Sequence, residues 1–419
     1  MMALYARQAP VWMCGFRAFF LAAAALAVAL LLWWVGFLLS GAALALPDVP
    51  GGPFVWHAHE LIFGFAVAAL AGFALTAFPE FTNTPSIAAC TVRRLFGLWL
   101  LGRVSFWCSG FLGAPALLLA GLAQLALLGG LLYLLGPRLF HAPDRRHFSF
   151  AWALCALAVT LVGFYLDALR GLPPGRWLYA ALGVFMIFIV LAMSRISMRI
   201  MNDALEAEAV RRGEANERVY RSRPPKRNLA VTCIAAYTAA EFFLPGERLG
   251  GWLALASMAA LLHLQSDWHI GRALLRRWPL ILLSAYFLMA GGYALMAWDL
   301  LLGSGSFSAG RHLLTVGGLG IAVYAVLNIA GRIHSGHPLD ERPWVAIGAL
   351  ALILGALLRA ATAWPGAPVT FLWAASGLCW GAAYGLWLWF MFPILSAART
   401  DGGTGCEEIL LPEEKATKA

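Results

Sequence analysis

WHAHELIFGFAVAALAGFALTAFP, residues 56–79, is an apolar run of membrane grade whose mouth holds His57, His59 and Glu60 within four positions. A span needs about 20 apolar residues to cross about 30 Å of hydrocarbon, and this segment is long enough to be one. The whole chain shares its character: 419 residues, 61% hydrophobic, only 12% charged, with 18 Trp and a mean hydropathy of +0.76. Soluble domains do not have this composition. The sequence therefore predicts an all-α, polytopic membrane protein, because lipid forces the backbone to satisfy its own hydrogen bonds.

Working outward, spans are predicted at 16–40, 56–78, 93–112, 114–136, 148–169, 177–200, 228–245, 249–264, 278–300, 311–333, 343–363 and 369–396. That makes twelve helices. Ten or eleven is the alternative, since 228–245 and 249–264 are short and separated only by PGER. With twelve spans the termini share a side, and that side collects most of the basic residues: Arg7, Arg93, Arg94, Arg138, Arg145, Arg146, Arg211, Arg212, Arg223, Lys226, Arg276, Arg277, Arg332, Arg342, Arg399, Lys415 and Lys418 among them. The opposite loops hold only Arg170, Arg176, Arg248, Arg311 and Arg359. The positive-inside bias then puts both termini in the cytoplasm. The net charge of +9 reflects this topology and gives no nucleic-acid footprint, because the basic residues are spread over many loops without a reader motif.

The first apolar stretch is too long for a signal h-region and is read as an uncleaved helix. Residues 1–200 form the first six spans, 201–227 a polar cytoplasmic linker, and 228–398 the last six; no internal repeat is evident. The linker is expected to hold a short amphipathic or flexible helix and to break at Pro224–Pro225. The tail, 399–419, is polar and expected to be disordered. Seven scattered cysteines form no CxxC and carry no zinc or redox signal. Trp12, Trp33, Trp56, Trp177 and Trp344, near helix ends, read as interface anchors.

Topology sorts the chemistry. His57, His59 and His312 fall at the outer ends of the second and tenth spans, and His141, His147, His263, His269, His334 and His337 near the cytoplasmic face. Glu60, Asp167, Glu241 and Asp299 also fall near outer ends, where each is costly if it faces lipid. In a regular helix His57 shares a stripe with Gly64, Ala68 and Gly72, with Glu60 beside it, while His59 lies on the far side. Either the helix begins after both histidines or they serve two partners. The stripe of small residues admits a neighbouring helix or the flat edge of a cofactor. His57 or His59 together with His312 would suit an iron porphyrin, or copper, with Glu60 as ligand or orienting acceptor. The bland alternative is interfacial hydrogen bonding. His334 and His337 could share an ion at i and i+3, but Gly336 and Pro338 indicate a chain leaving the helix. Arg103 and Arg195 lie within spans, where an internal carboxylate partner such as Glu241 is the common outcome.

WHAHELIFGF (56–65), RHLLTVGGLGIAV (311–323) and GRIHSGHPLDERP (331–343) resemble three signature stretches of the NnrS family, with FRAFF (16–20), SRISMRIMNDAL (194–205), RNLAV (227–231) and ALLRA (356–360) in matching order. The resemblance implies a twelve-helix bacterial inner-membrane protein with haem b and copper, linked to nitric oxide metabolism and protection against nitrosative stress. It assigns cofactor binding to His57, His59 and His312, and metal binding to these with Glu60, His334 and His337. The chain departs from the family where GFYLDALR and LILLSAYFLMAGGY lack the histidines of the fifth and ninth spans, and where SRISMRI replaces a GRVIPxFT-like stretch. Three function classes follow. One is a protein that binds or senses a small gaseous or nitrosyl ligand. Another is a metalloenzyme, for which no complete catalytic site is recognised. The third is a transporter for a metal ion or small solute.

Overall fold

The computed structural model describes residues 9–141, 148–216, 218–403 and 405–406. His147, Arg7, Arg145, Arg146, Lys415, Lys418 and the tail from 407 lie outside them. Every expected span is helical: α1 Gly15–Leu39, α2 Gly52–Phe81, α3 Ala89–Trp107, α4 Ala114–His141, α5 Phe148–Leu169, α6 Gly175–Arg212, α7 Pro224–Phe243, α8 Arg248–Gln265, α9 Arg277–Leu302, α10 Phe307–Ile333, α11 Pro343–Ala361 and α12 Val369–Ser396.

Among the described residues nine of these are long and apolar enough to cross a membrane; α3, α7 and α8 fall short. The reason is local. Arg93, Arg94 and Arg103 load α3, Lys226, Arg227 and Glu241 load α7, and α8 barely reaches span length with Arg248, His263 and Gln265 near its ends. The chain is a polytopic membrane protein, and its exposed apolar side chains, such as Leu118 and Leu122 on α4, Trp152 and Val159 on α5, and Trp389 and Phe392 on α12, are the surface that lipid covers.

Two compact units are formed, one by residues 1–178, 326–348 and 381–419, the other by 179–325 and 349–380. Their boundary passes through α6, α10, α11 and α12. In the first unit α2 packs on α1 and α4, α3 on α4, and α4 on α5; in the second α8 packs on α7 and α9, and α9 on the first half of α10. Sequence neighbours joined by short turns thus pair along most of the chain.

The linker differs from expectation. Helix α6 continues without interruption to Arg212 and ends at Gly213, whose φ of +69° favours glycine. Pro224 and Pro225 do not break a helix; they start α7, where a missing N–H costs nothing. Between them, Tyr220 is tied to Asn202 through both backbone groups (N to Oδ1 2.8 Å, O from Nδ2 3.2 Å), and its hydroxyl accepts from Trp268 Nε1 at 3.0 Å.

Three further readings are corrected. Trp56 is fully buried in a cluster with Trp33 and Trp107, at centroid distances of 5.4 and 6.2 Å, and Trp344 is buried against Phe390; neither is an exposed anchor. The cysteines do carry a redox feature, since Cys14 and Cys406 form a disulfide. The first tail residues are held as well: Arg399 and Asp401 are buried and paired with each other.

The turn between α10 and α11 is fastened by Asp340, which accepts from Arg342 and from Trp344 Nε1. Burial alone pushes the Asp340 carboxyl up, but the Arg342 side chain and backbone N–H, the Trp344 indole and the charge of Arg332 together hold it down at about 2. A carboxyl depressed on folding adds stability above its unfolded value of about 3.9 and loses it as pH falls toward 2. Asp340→Asn should therefore cost about 1 kcal/mol at pH 6, allowing for the half-exposed Arg342, and nothing near pH 2. Unfolding midpoints of parent and variant across that range check this; a difference that does not change with pH contradicts it.

Candidate functional site

Helix α2 is interrupted at its polar mouth. Regular α-helix runs from Gly52 to His59, and the backbone then takes π-helical turns over Glu60–Ala66 before α-geometry resumes. A π-turn is rare, and it leaves backbone carbonyls short of their usual partners. One is satisfied here by a side chain: Trp99 Nε1 on α3 donates to the Gly64 carbonyl at 3.0 Å. Gly64 leaves room here for these side chains, since a Cβ would lie 2.9 Å from Leu26 Cδ2, 3.2 Å from Arg103 Nη1 and 3.3 Å from Glu60 Oε2 and would push them aside.

Around this turn lies a buried polar chain drawn from four helices. Arg103 Nη1 on α3 donates to Glu60 Oε1 at 2.7 Å, and the same oxygen is 2.9 Å from His59 Nδ1. His59 Nε2 lies 3.1 Å from the Tyr165 hydroxyl on α5, which also accepts from Gln124 Nε2 on α4. A carboxylate can only accept, so His59 carries its proton on Nδ1 and its Nε2 accepts from Tyr165 O–H. The order is Gln124 to Tyr165 to His59 to Glu60, with Arg103 closing the end. Glu60 and His59 are completely buried and Arg103 nearly so. Glu60 Oε2 and Arg103 Nε and Nη2 make no hydrogen bond. One negative and one positive charge thus neutralise each other where neither alone is tolerable.

The two histidines of α2 serve different partners. His59 stacks on Phe106 at 3.7 Å, with Phe164 at 4.8 Å. His57 faces α1 and stacks on Trp34 at 4.3 Å. The stripe of small residues is taken by α1 too: Cβ atoms at Gly64 and Gly72 would meet Leu26 and Phe20. With both ring nitrogens engaged and its faces covered, His59 is not presented as an axial ligand and does not fit a porphyrin. Its place is to anchor the head of α2.

His312 belongs to the second unit. It directly precedes another π-helical stretch, Leu313–Leu319, in α10. Its Nδ1 is 2.7 Å from the Ser308 carbonyl, which fixes the proton on Nδ1 and makes Nε2 the basic nitrogen, the tautomer that suits a metal ligand. Beside it Arg311 pairs with Glu241 on α7 and lies over the Tyr179 ring at 3.5 Å. Arg103 is therefore matched by Glu60, and Glu241 by Arg311 instead of Arg103. Asp167 takes Arg176 and the Trp177 indole at 3.0 and 2.7 Å.

His334 and His337 do not form a helical pair, because α10 ends at Ile333 and Gly336 has a φ of +79°. His334 Nδ1 bonds the Cys406 carbonyl at 2.8 Å, with Glu80 Oε2 3.5 Å from its other nitrogen. Burial and the neighbouring Arg332 lower the basicity of His337. Among the described residues no group of three or more His, Cys, Asp or Glu is arranged to hold a metal ion.

Sequence reading missed Tyr165, Gln124, Trp99 and Phe106. The only available signal was that polar Gln124 and Tyr165 sit inside predicted spans. Residues 10–399 match the model of a family described as NnrS protein. No curated protein matches the chain.

Proposed function

Since the chain belongs to the NnrS protein family, we propose that it is a haem- and copper-binding protein of the bacterial inner membrane, both termini cytoplasmic, that binds or senses nitric oxide or a nitrosyl complex. Of the candidate ligands, His312 in the second unit is the imidazole oriented to hold such a group, whereas His57 in the first unit stacks on Trp34, with His59 and Glu60 supporting α2 beside it. The observation that carries this is the His312 ring, held by Ser308 in the tautomer whose Nε2 is basic. A haem iron or copper ion supplies an open coordination position to a small diatomic ligand. The protein's own contribution is to orient the imidazole and to keep the surroundings apolar. No general acid or base is assigned, and binding or sensing is favoured over turnover.

A transporter for a metal ion or small solute is the second reading. It is supported by the two interrupted spans, α2 and α10, since transporters build their sites at broken helices.

Visible spectra of purified protein from haem-replete cells, oxidised and dithionite-reduced, separate the two. A b-type signal is expected, falling by at least about half in His312→Ala, as removal of an iron ligand requires. His59→Ala should instead keep its haem per folded molecule and lose about 1–3 kcal/mol of stability, because Tyr165 and Glu60 lose a buried partner. A colourless, metal-free preparation would end the haem reading and favour transport.

A further inference from the structure

Beyond α12 the described residues, up to Cys406, stay against the protein. Arg17, fully buried in the first turn of α1, donates to the carbonyls of Leu395 and Ala397 at 3.2 and 2.6 Å. Arg399 donates to both Asp401 oxygens at 2.8 and 2.6 Å and to the carbonyls of His334 and Gly405 at 3.0 and 3.2 Å. The Cys406 carbonyl receives His334 at 2.8 Å. Gly336 lets the strap lie close, since a Cβ there would sit 2.5 Å from Asp401 Cγ. The Cys14–Cys406 disulfide, with a Cα separation of 5.4 Å, closes it. The strap, residues 397–403 with 405 and 406, so covers Arg17 and His334.

This bond lies at the end of the spans where the arginines concentrate, the cytoplasmic end in the orientation proposed above. Cytoplasmic thiols are kept reduced, and disulfides found there are usually redox-sensing or catalytic. The two sulfurs are also unequal. Cys406 is partly exposed, whereas Cys14 is buried at the N-cap of a 25-residue helix. Cys406 is thus the accessible target, and Cys14, at a helix N-terminus that favours a thiolate, is the leaving group.

We propose that Cys14–Cys406 is an exchangeable thiol–disulfide latch, opened by a dithiol reductant, that controls whether the strap covers Arg17 and His334. In the opening step a reductant thiolate attacks Cys406 Sγ, forming a mixed disulfide and releasing Cys14 as thiolate. The reductant's second thiol then displaces Cys406, leaving two protein thiols and an oxidised reductant. A low-molecular-weight disulfide closes the latch by the reverse exchange, leaving as two thiols.

The latch is tested on the full chain in two ways. Cells are acid-quenched, free thiols are blocked with one alkylating label, and the rest are reduced and given a second. Cys14 and Cys406 should carry the second label together in cells treated with diamide and the first together after dithiothreitol, while exposed Cys90 and Cys155 carry the first in dithiothreitol-treated and untreated cells alike. In detergent micelles, tryptic cleavage after Arg399 should run at least about tenfold faster in reduced protein and in Cys406→Ser than in oxidised protein, since cleavage follows the population of the opened strap. Cys14 and Cys406 taking the first label under every condition, or equal cleavage rates, overturns the latch. The orientation on which it rests has its own readout: an impermeant maleimide should reach Cys406 of reduced protein in inverted vesicles and not in spheroplasts. The opposite pattern overturns the orientation while leaving the exchange chemistry measurable.

Discussion

Arg103→Met should cost the folded protein about 3–5 kcal/mol, the penalty for removing one partner of a buried ion pair and leaving the other charged. Glu60 is completely buried, and its Oε1 takes its charge-assisted hydrogen bond from Arg103 at 2.7 Å. Without the guanidinium a carboxylate stays in an apolar interior, with the neutral His59 ring still donating to it. The loss should spread, because Glu60 also fixes the His59 tautomer and through it Tyr165 and Gln124. Adding Glu60→Gln to Arg103→Met should recover most of the loss: the charge is gone, yet an amide oxygen still accepts from His59 Nδ1. Midpoints of unfolding in mixed micelles, followed by Trp fluorescence, give the comparison. Arg103→Met within about 0.5 kcal/mol of the parent, the range of ordinary surface changes, contradicts the assignment. So does a double variant no more stable than the single one.

Which carboxylate Arg103 meets shows how far the sequence can be read. The helices were legible, because a bilayer demands length and an apolar composition of each span, although only nine of the twelve meet that demand among the described residues. Pairing across helices was not. Glu241 and Glu60 are equally plausible partners for Arg103 on sequence alone, and the choice depends on α3 lying against the π-turn of α2. That turn is itself illegible. Glu60–Ala66 has no proline and no signature residue, and its one clue, Gly64, reads equally well as a small residue for helix packing. Likewise His57 and His59, two residues apart, were rightly seen to diverge in a regular helix. That His57 meets Trp34 and His59 meets Tyr165 depends on where α1 and α5 stand. The cysteines failed for a similar reason: Cys14 and Cys406 are 392 residues apart, and only the fold brings them together.

Gly310→Ala is expected to cost about 3 kcal/mol, the upper part of the usual range for overpacking. A glycine-to-alanine change inside a helix normally gains about 0.5–1 kcal/mol, because alanine loses less chain entropy. Space decides the sign. A Cβ on Gly310 would lie 2.5 Å from the Gly292 carbonyl and 2.9 Å from the Met296 backbone nitrogen, and a Cβ on Gly292 would lie 2.8 Å from the Gly310 carbonyl. Those are backbone atoms of α9, which cannot turn away as a side chain can, so the two helices must separate. Small residues at such crossings allow the close packing that drives helix association in lipid, where no hydrophobic force does. Gly97→Ala on α3 is the control: nothing lies within 4 Å of its Cβ position, and it should be neutral or slightly stabilising. The effect should also reach the site, because Gly310 is followed at once by Arg311, His312 and the π-turn. If His312 is a ligand, the folded fraction of Gly310→Ala should hold less haem than that of Gly97→Ala. A variant that melts with the parent, or a Gly97→Ala equally destabilised, would show that α9 and α10 do not touch through their backbones.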